Sequence, residues 1–235
     1  MSQWERSELL LGKDALEKLQ RARVAVFGVG GVGGYAVEAL ARAGVGELAL
    51  FDPDTVSESN INRQLLALHS TLGQYKVDVA AARVRDINPE IRVSAHRVFY
   101  LPENADEIDL SGFDYVIDAI DTVSAKLELA RRTEALGVPL IASLGTGNKL
   151  DPTRFRITDI SKTSVCPLAR TVRTLCRKHG IKKLRVLWSD EEPSGKTLAD
   201  ENGRNVPGSI SFVPSMAGLM IAGEVVRNLI AEVQA

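Results

Sequence analysis

A doubly wound α/β fold on a mostly parallel sheet is what this 235-residue sequence predicts, and three observations carry that expectation. An apolar, β-branched run, Val24-Ala-Val-Phe27, feeds a turn, Gly28-Val-Gly30-Gly31-Val-Gly33, which opens an Ala-rich helical pattern through Leu40. Strand-like runs at 24–27, 47–51, 91–98, 115–117 and 139–143 alternate with helical patterns at 32–43, 76–87 and 124–136, the order that builds a parallel sheet covered by helices. Asn88-Pro89 and Gly137-Val-Pro139 then punctuate the ends of two of those helices.

Taken in chain order, the Gly-rich turn has the most specific chemistry. Gly28 permits a tight turn, Gly30 lets backbone approach a phosphate, and Gly33 lets the helix pack close on the strand. Unpaired N–H groups at the helix start then face an anion, an arrangement that implies a nucleotide. The second run ends at Asp52, close to the offset at which an acid meets a ribose hydroxyl. The fourth ends in Asp118-Ala-Ile-Asp121, at the carboxyl edge where open sheets bind ligands. Beyond Gly145-Thr-Gly147-Asn148, which reads as a loop, shorter runs at 154–158 and 184–188 flank a helix near 167–179. The polar stretch 189–209 predicts a long mobile loop, and a helix from about Met216 to Val233 closes the chain. Residues 1–150 therefore read as a nucleotide-binding domain, and 151–235 as a smaller α/β extension of the same unit.

Composition bounds the setting. A net charge of −1 names no partner by itself. Cys166 and Cys176 are too few for a disulfide scaffold or a four-thiolate zinc site, so a reducing cytoplasm is expected. Trp4, Glu5, Arg6 and Glu8 do not make a secretory signal. The apolar stretch 210–223 is too short to span a bilayer and is interrupted by Pro214, so it predicts a core helix and no membrane.

A nicotinamide enzyme could share the glycine turn and Asp52. The next residues separate the readings. Asp54, then Ser59-Asn60-Ile61-Asn62-Arg63-Gln64, then Lys76 bring an arginine and a lysine toward the same anion. A pyrophosphate held by backbone has no need of them, whereas a triphosphate that loses pyrophosphate does. Asp121 can hold magnesium beside those phosphates, or cap the following helix. His69, His96 and His179 read as surface or satisfied histidines, and no hydride-transfer site stands out.

Gly28-x-Gly30-Gly31-x-Gly33, Asp52-x-Asp54, Asn60-x-Asn62-Arg63-Gln64, Lys76 and Asp121 resemble the ubiquitin-activating-type adenylyltransferases, over roughly residues 4–145. The resemblance implies ATP and Mg2+, with attack of a carboxylate on the α-phosphorus to give an acyl adenylate and pyrophosphate. It implies that Gly31 and its neighbours contact the α-phosphate and that Asp52 holds the ribose. Asn60 would lie near ribose and phosphate, Arg63 and Lys76 would bind the triphosphate, and Asp121 would hold magnesium. Arg6, in Arg6-Ser-Glu-Leu-Leu-Leu-Gly12, matches an arginine that bacterial members insert from the other subunit, so a homodimer is implied.

Two branches of the superfamily compete. Enzymes that activate sulfur-carrier proteins usually bear two Cys-x-x-Cys zinc pairs, which this chain lacks. Asp151-Pro-Thr153, Thr158–Thr163, Pro167-Leu-Ala169, Trp188–Pro193 and Pro207–Ile210 instead resemble the branch that dehydrates threonylcarbamoyladenosine in tRNA. Some members of that branch carry an acid in place of Cys166, so no essential thiol is implied. Between Arg154 and Arg185 the only acid is Asp159, among ten basic residues. Arg170, Arg173 and Arg177 recur at helical spacing, which fits either an RNA-reading face or a solvated one. The choice of tRNA, a sulfur-transfer partner, a monovalent-ion requirement and closure of the 189–209 loop stay open.

Overall fold

The computed structural model describes residues 3–195, 197–199 and 205–231. The chain opens with two helices, α1 (Glu5–Leu11) and α2 (Lys13–Arg21), then alternates β1 (Arg23–Phe27), α3 (Gly33–Ala43), β2 (Glu47–Phe51), α4 (Lys76–Ile87) and β3 (Arg92–His96). It continues through β4 (Tyr115–Asp118), α5 (Val123–Leu136), β5 (Leu140–Ser143), β6 (Phe155–Asp159), α6 (Pro167–Lys178) and β7 (Arg185–Ser189). A short antiparallel pair, β8 (Thr197–Ala199) and β9 (Asn205–Pro207), precedes the last helix, α7 (Phe212–Ile230).

Seven strands form one sheet in the order β3-β2-β1-β4-β5-β7-β6. Every neighbouring pair is parallel except β6 with β7. The strand order reverses between β1 and β4, and a crevice opens at such a reversal beyond the carboxyl ends of the strands.

Strand periodicity explains the apolar runs. Val24, Val26, Leu48, Leu50 and Ile117 pack on one face against α2, α3, α4 and α7. Ala25, Phe27, Ala49, Phe51 and Val116 pack on the other against α5, Tyr100 and Leu110. A strand buried on both faces has no polar side to show, so it reads as a continuous hydrophobic run. Ala142, Leu144, Val186 and Trp188 form a third cluster with Ala169, Val172 and Cys176 of α6. Both cysteines are buried there as free thiols, and burial pushes the Cys176 thiol up.

Two expectations change, and two helices lie before Val24, a segment for which the sequence reading named no element. α2 buries Ala15, Leu16 and Leu19, while α1 has no fully buried residue, its Leu11 packing partly buried against the core. The stretch 189–209 is not simply a loop: β8 pairs with β9, although residues 196 and 200–204 lie outside the described residues. The last helix starts at Phe212, because Pro214 falls in its first turn, where a missing N–H is harmless; the expected end at Val233 lies outside the described residues. Among the described residues one helix, α7, is long and apolar enough to cross a membrane. Here it packs on α3 so closely that a Cβ at Gly218 would lie 2.2 Å from the Val32 carbonyl oxygen.

Candidate adenylation cleft

Turn sterics build the floor of the crevice. Gly28 adopts φ +86°, and a Cβ there would meet the Ala119 carbonyl oxygen at 2.6 Å. At Gly33 a Cβ would lie 1.8 Å from the Gly28 carbonyl oxygen, so only glycine lets α3 begin this close to the turn. Asp52, at the end of β2, is buried and braces the turn. Its Oδ2 accepts from the Val29 N–H at 2.7 Å and its Oδ1 from the Asp54 N–H at 2.9 Å. Burial pushes the Asp52 carboxyl above the usual range, with the charge of Lys76 pulling the other way.

Gly28, Gly30, Gly31, Asp52, Asp54, Asn60, Arg63, Gln64, Lys76 and Asp121 all line one cleft of about 360 Å3. The Lys76 ammonium, nearly buried at the start of α4, pairs with Asp54 Oδ2 at 2.7 Å. Arg63 Nη1 donates to the Ser59 carbonyl and to Asn62 Oδ1, both at 2.8 Å, which anchors the guanidinium by one nitrogen. Asn60 Oδ1 accepts from the Ser57 N–H and fixes the turn that carries Arg63. Gln64 Oε1 and the Tyr100 hydroxyl are buried without a partner; burial pushes the tyrosine up to about 12. A cleft floored by backbone N–H groups, flanked by two cations and lined by residues with orphaned polar atoms fits a nucleotide polyphosphate.

Several expected residues lie elsewhere. Gly33 sits behind the turn as a packing residue. Asn62 does not line the cleft; it holds Arg63 and donates to the Ser209 carbonyl at 3.1 Å. Asp121 does line it, and Thr122 rather than Asp121 is the N-cap of α5, so the capping alternative is not met. Arg6 is exposed on α1 and outside the cleft of its own chain. Among Arg170, Arg173 and Arg177 on α6, Arg173 is half-buried and donates to the Thr163 carbonyl and hydroxyl oxygens at 2.8 and 2.6 Å. That engagement separates it from its two exposed neighbours. Among the described residues no group of three or more His, Cys, Asp or Glu could hold a metal.

Sequence reasoning missed the cleft wall formed by Val98, Phe99, Tyr100, Thr146 and Ser209. The rule that ligands meet strand ends points to 98–100 and 146, each just past a strand. It missed a buried ion pair as well. Lys126 of α5 reaches Asp118 Oδ1 at 3.0 Å and the Ser143 carbonyl at 2.8 Å. Asp118 Oδ1 also accepts from the Ile120 N–H, so the pair sits directly under the segment that carries Asp121.

Fold and cleft together define a nucleotide-dependent enzyme of the adenylating type, and the chain belongs to the ThiF family, whose model matches residues 5–234. Within that family the similarity is to tRNA threonylcarbamoyladenosine dehydratases. The Bacillus subtilis (strain 168) enzyme is 48% identical over 246 residues, covering 100% of this chain and 97% of the relative. The Escherichia coli (strain K12) enzyme is 43% identical over 164 residues, 70% of this chain and 61% of its own. The crystal structure of the E. coli enzyme, TcdA, in complex with ATP superposes with a TM-score of 0.90 at 33% identity, covering 99% of this chain and 95% of that one.

Proposed function

We propose that this protein is an ATP-dependent dehydratase that cyclises threonylcarbamoyladenosine in the anticodon loop of tRNA. The observation that carries the reading is the convergence of the glycine turn, Asp52, Asn60, Arg63, Gln64, Lys76 and Asp121 in one cleft, in a chain similar over its whole length to such dehydratases. ATP lies with its phosphates against the N–H groups of Gly30 and Gly31, and Asp52 accepts from the ribose. Arg63 and Lys76 bind the β- and γ-phosphates, where departing pyrophosphate gathers charge. Entry of those phosphates draws Lys76 away from Asp54. Asp121 would hold magnesium beside the phosphates, an ion commonly bound by one or two carboxylates plus substrate phosphates, and the ion would supply further positive charge there.

The chemistry then follows from position. A carboxylate oxygen of the threonyl group attacks the α-phosphorus, forming an O–P bond as the bond to pyrophosphate breaks. A nitrogen of the same side group next attacks the activated carbonyl carbon, a ring closes, and AMP leaves with the oxygen that is formally lost as water. Because the second attack is intramolecular, no enzyme nucleophile is required. The burial of Cys166 and Cys176 outside the cleft supports this, and Cys166→Ser is expected to keep most activity. Residues 1–150 handle the nucleotide, and 151–235 present the RNA-facing side through Arg170 and Arg177, with Arg173 bracing that helix. A homodimer completes the site with Arg6 of the second copy, and the cytoplasm supplies ATP and tRNA. A sulfur-transfer protein would be an accessory to this reaction rather than a reactant in it.

The test is incubation of the protein with ATP, magnesium and tRNA bearing threonylcarbamoyladenosine, followed by mass spectrometry of the nucleoside. ATP-dependent loss of one water supports the reading. An unchanged nucleoside, alongside ATP–pyrophosphate exchange driven by a carrier protein, overturns it in favour of sulfur-carrier activation.

A further inference from the structure

Among the described residues most of the positive charge is paired internally, and all but one of the exceptions gather in one place. Among the described residues, the lysines and arginines whose side chains make no hydrogen bond or ion pair are Arg6 and a group confined to 162–183. That group is Lys162, Arg170, Arg177, Lys178, Lys182 and Lys183. Their basic neighbours are engaged: Arg154 and Arg156 with Asp190, Arg173 with Thr163, and Arg185 with Glu224.

The unpaired charges trace a path. Leu168, in the first turn of α6, packs beside Gly145, next to the cleft residue Thr146. Twelve helical residues run away from that point over about 18 Å. At the far end Lys162, Lys182 and Lys183 line a second cavity of about 930 Å3. Tyr115, Leu140 and Arg185, the first residues of β4, β5 and β7, also line it, so it opens at the sheet edge opposite the nucleotide cleft. Three acids line it too and accept from backbone amides, Asp114 from Arg23, Glu134 from Lys182 and Lys183, and Asp159 from Ser161 and Leu184, and the Asp159 charge also feels Lys162. None of the three ammonium groups makes a hydrogen bond or ion pair with these acids, so each keeps its donors for an outside anion.

We propose that Lys162, Lys182 and Lys183 form a distal phosphate-binding site for the backbone of the substrate tRNA. The strand reaches it along the α6 face of Arg170, Arg177 and Lys178 while the modified base occupies the cleft. This rests on the dehydratase reading. One small anion cannot span both ends of α6, whereas a polyanion with regularly spaced phosphates can, and its affinity is dominated by such contacts.

The test is tRNA binding to Lys162→Ala/Lys182→Ala/Lys183→Ala at several salt concentrations. Loss of three phosphate contacts lowers the slope of log K against log salt by about two to three and weakens binding about tenfold or more at low salt. At saturating tRNA, kcat stays near wild type while KM for tRNA rises. The triple Lys→Arg variant keeps the charge and is expected to bind like wild type, which separates charge from folding. An unchanged slope and affinity in the alanine variant overturns the distal site, even where wild-type protein binds and dehydrates tRNA; an acidic protein partner would be one cause of that result. Wild-type protein that neither binds nor dehydrates tRNA overturns the dehydratase reading as well.

Discussion

Lys126 and Asp118 are 1% and 0% exposed in their side chains, and they do the least expected work of any charged residues in the chain. Burial raises the Asp118 carboxyl above its ordinary range, with Lys126 opposing it. Removing the lysine alone strands a buried carboxylate. Lys126→Met is therefore expected to lose about 3–5 kcal/mol of stability in urea unfolding, and Asp118→Asn added to it should recover much of that loss. The sign of the pH dependence follows from the raised pKa. A carboxyl that holds its proton more tightly in the folded state favours folding at low pH, and the benefit fades as pH rises above the ordinary carboxylate range. Lys126→Met should thus lose stability more steeply with rising pH than wild type, and equal slopes would show the pair to be uncoupled. Arg63 and Lys76 contrast with it, because they point into the cleft. Arg63→Ala and Lys76→Ala are each expected to lower turnover about 100-fold or more, if each contact tightens as pyrophosphate departs; wild-type turnover in both would remove them from the nucleotide site.

Elements differ in how openly the sequence displays them. β1, β2 and β4 are buried on both faces, so their apolar runs and the glycine turn between β1 and α3 were legible from residue types alone. The residues around Asn60–Gln64 and Lys76 were legible because chemistry, not packing, dictates them. α1 was invisible because it has no fully buried residue and, at seven residues, is too short to carry a periodic signal. Lys126 was invisible because a lysine in a helix reads as surface, and only the topology brings it under β4. The β8–β9 arm was invisible because its two strands are three residues each and exposed, too short to show a period, and distant partners hold the segment beside them. Asn148, at φ +58°, accepts from the Gly208 and Ser194 N–H groups and donates from its own N–H to the Gly208 carbonyl. Asn62 clasps the next residue, Ser209, which lines the cleft. Asn148→Ala removes the side-chain clasp and is expected to speed amide exchange at Gly208 and Ser209 by about fivefold, the equivalent of one hydrogen bond of roughly 1 kcal/mol. Exchange as slow as in wild type would mean the arm is held by other contacts.

At the scale of the whole molecule, the N-terminal helix bears on the proposed homodimer. α1 exposes Leu9 and Leu10 at 89% and 82% and carries Arg6 on a helix with no buried residue. Exposed leucines on a short helix favour a covering surface, and in the proposed homodimer a second copy would both cover them and deliver Arg6 to the cleft that it does not line in its own chain. Complementation tests this directly. Arg6→Ala and Lys76→Ala homodimers should each be nearly inactive. Mixed under conditions that exchange subunits, they form heterodimers in which one cleft holds both substitutions and the other holds neither. Random pairing makes half the dimers heterodimers with one intact site of two, so activity should return to about a quarter of wild type. If Arg6 instead acts within its own chain, every cleft in the mixture keeps one lesion, and no recovery appears.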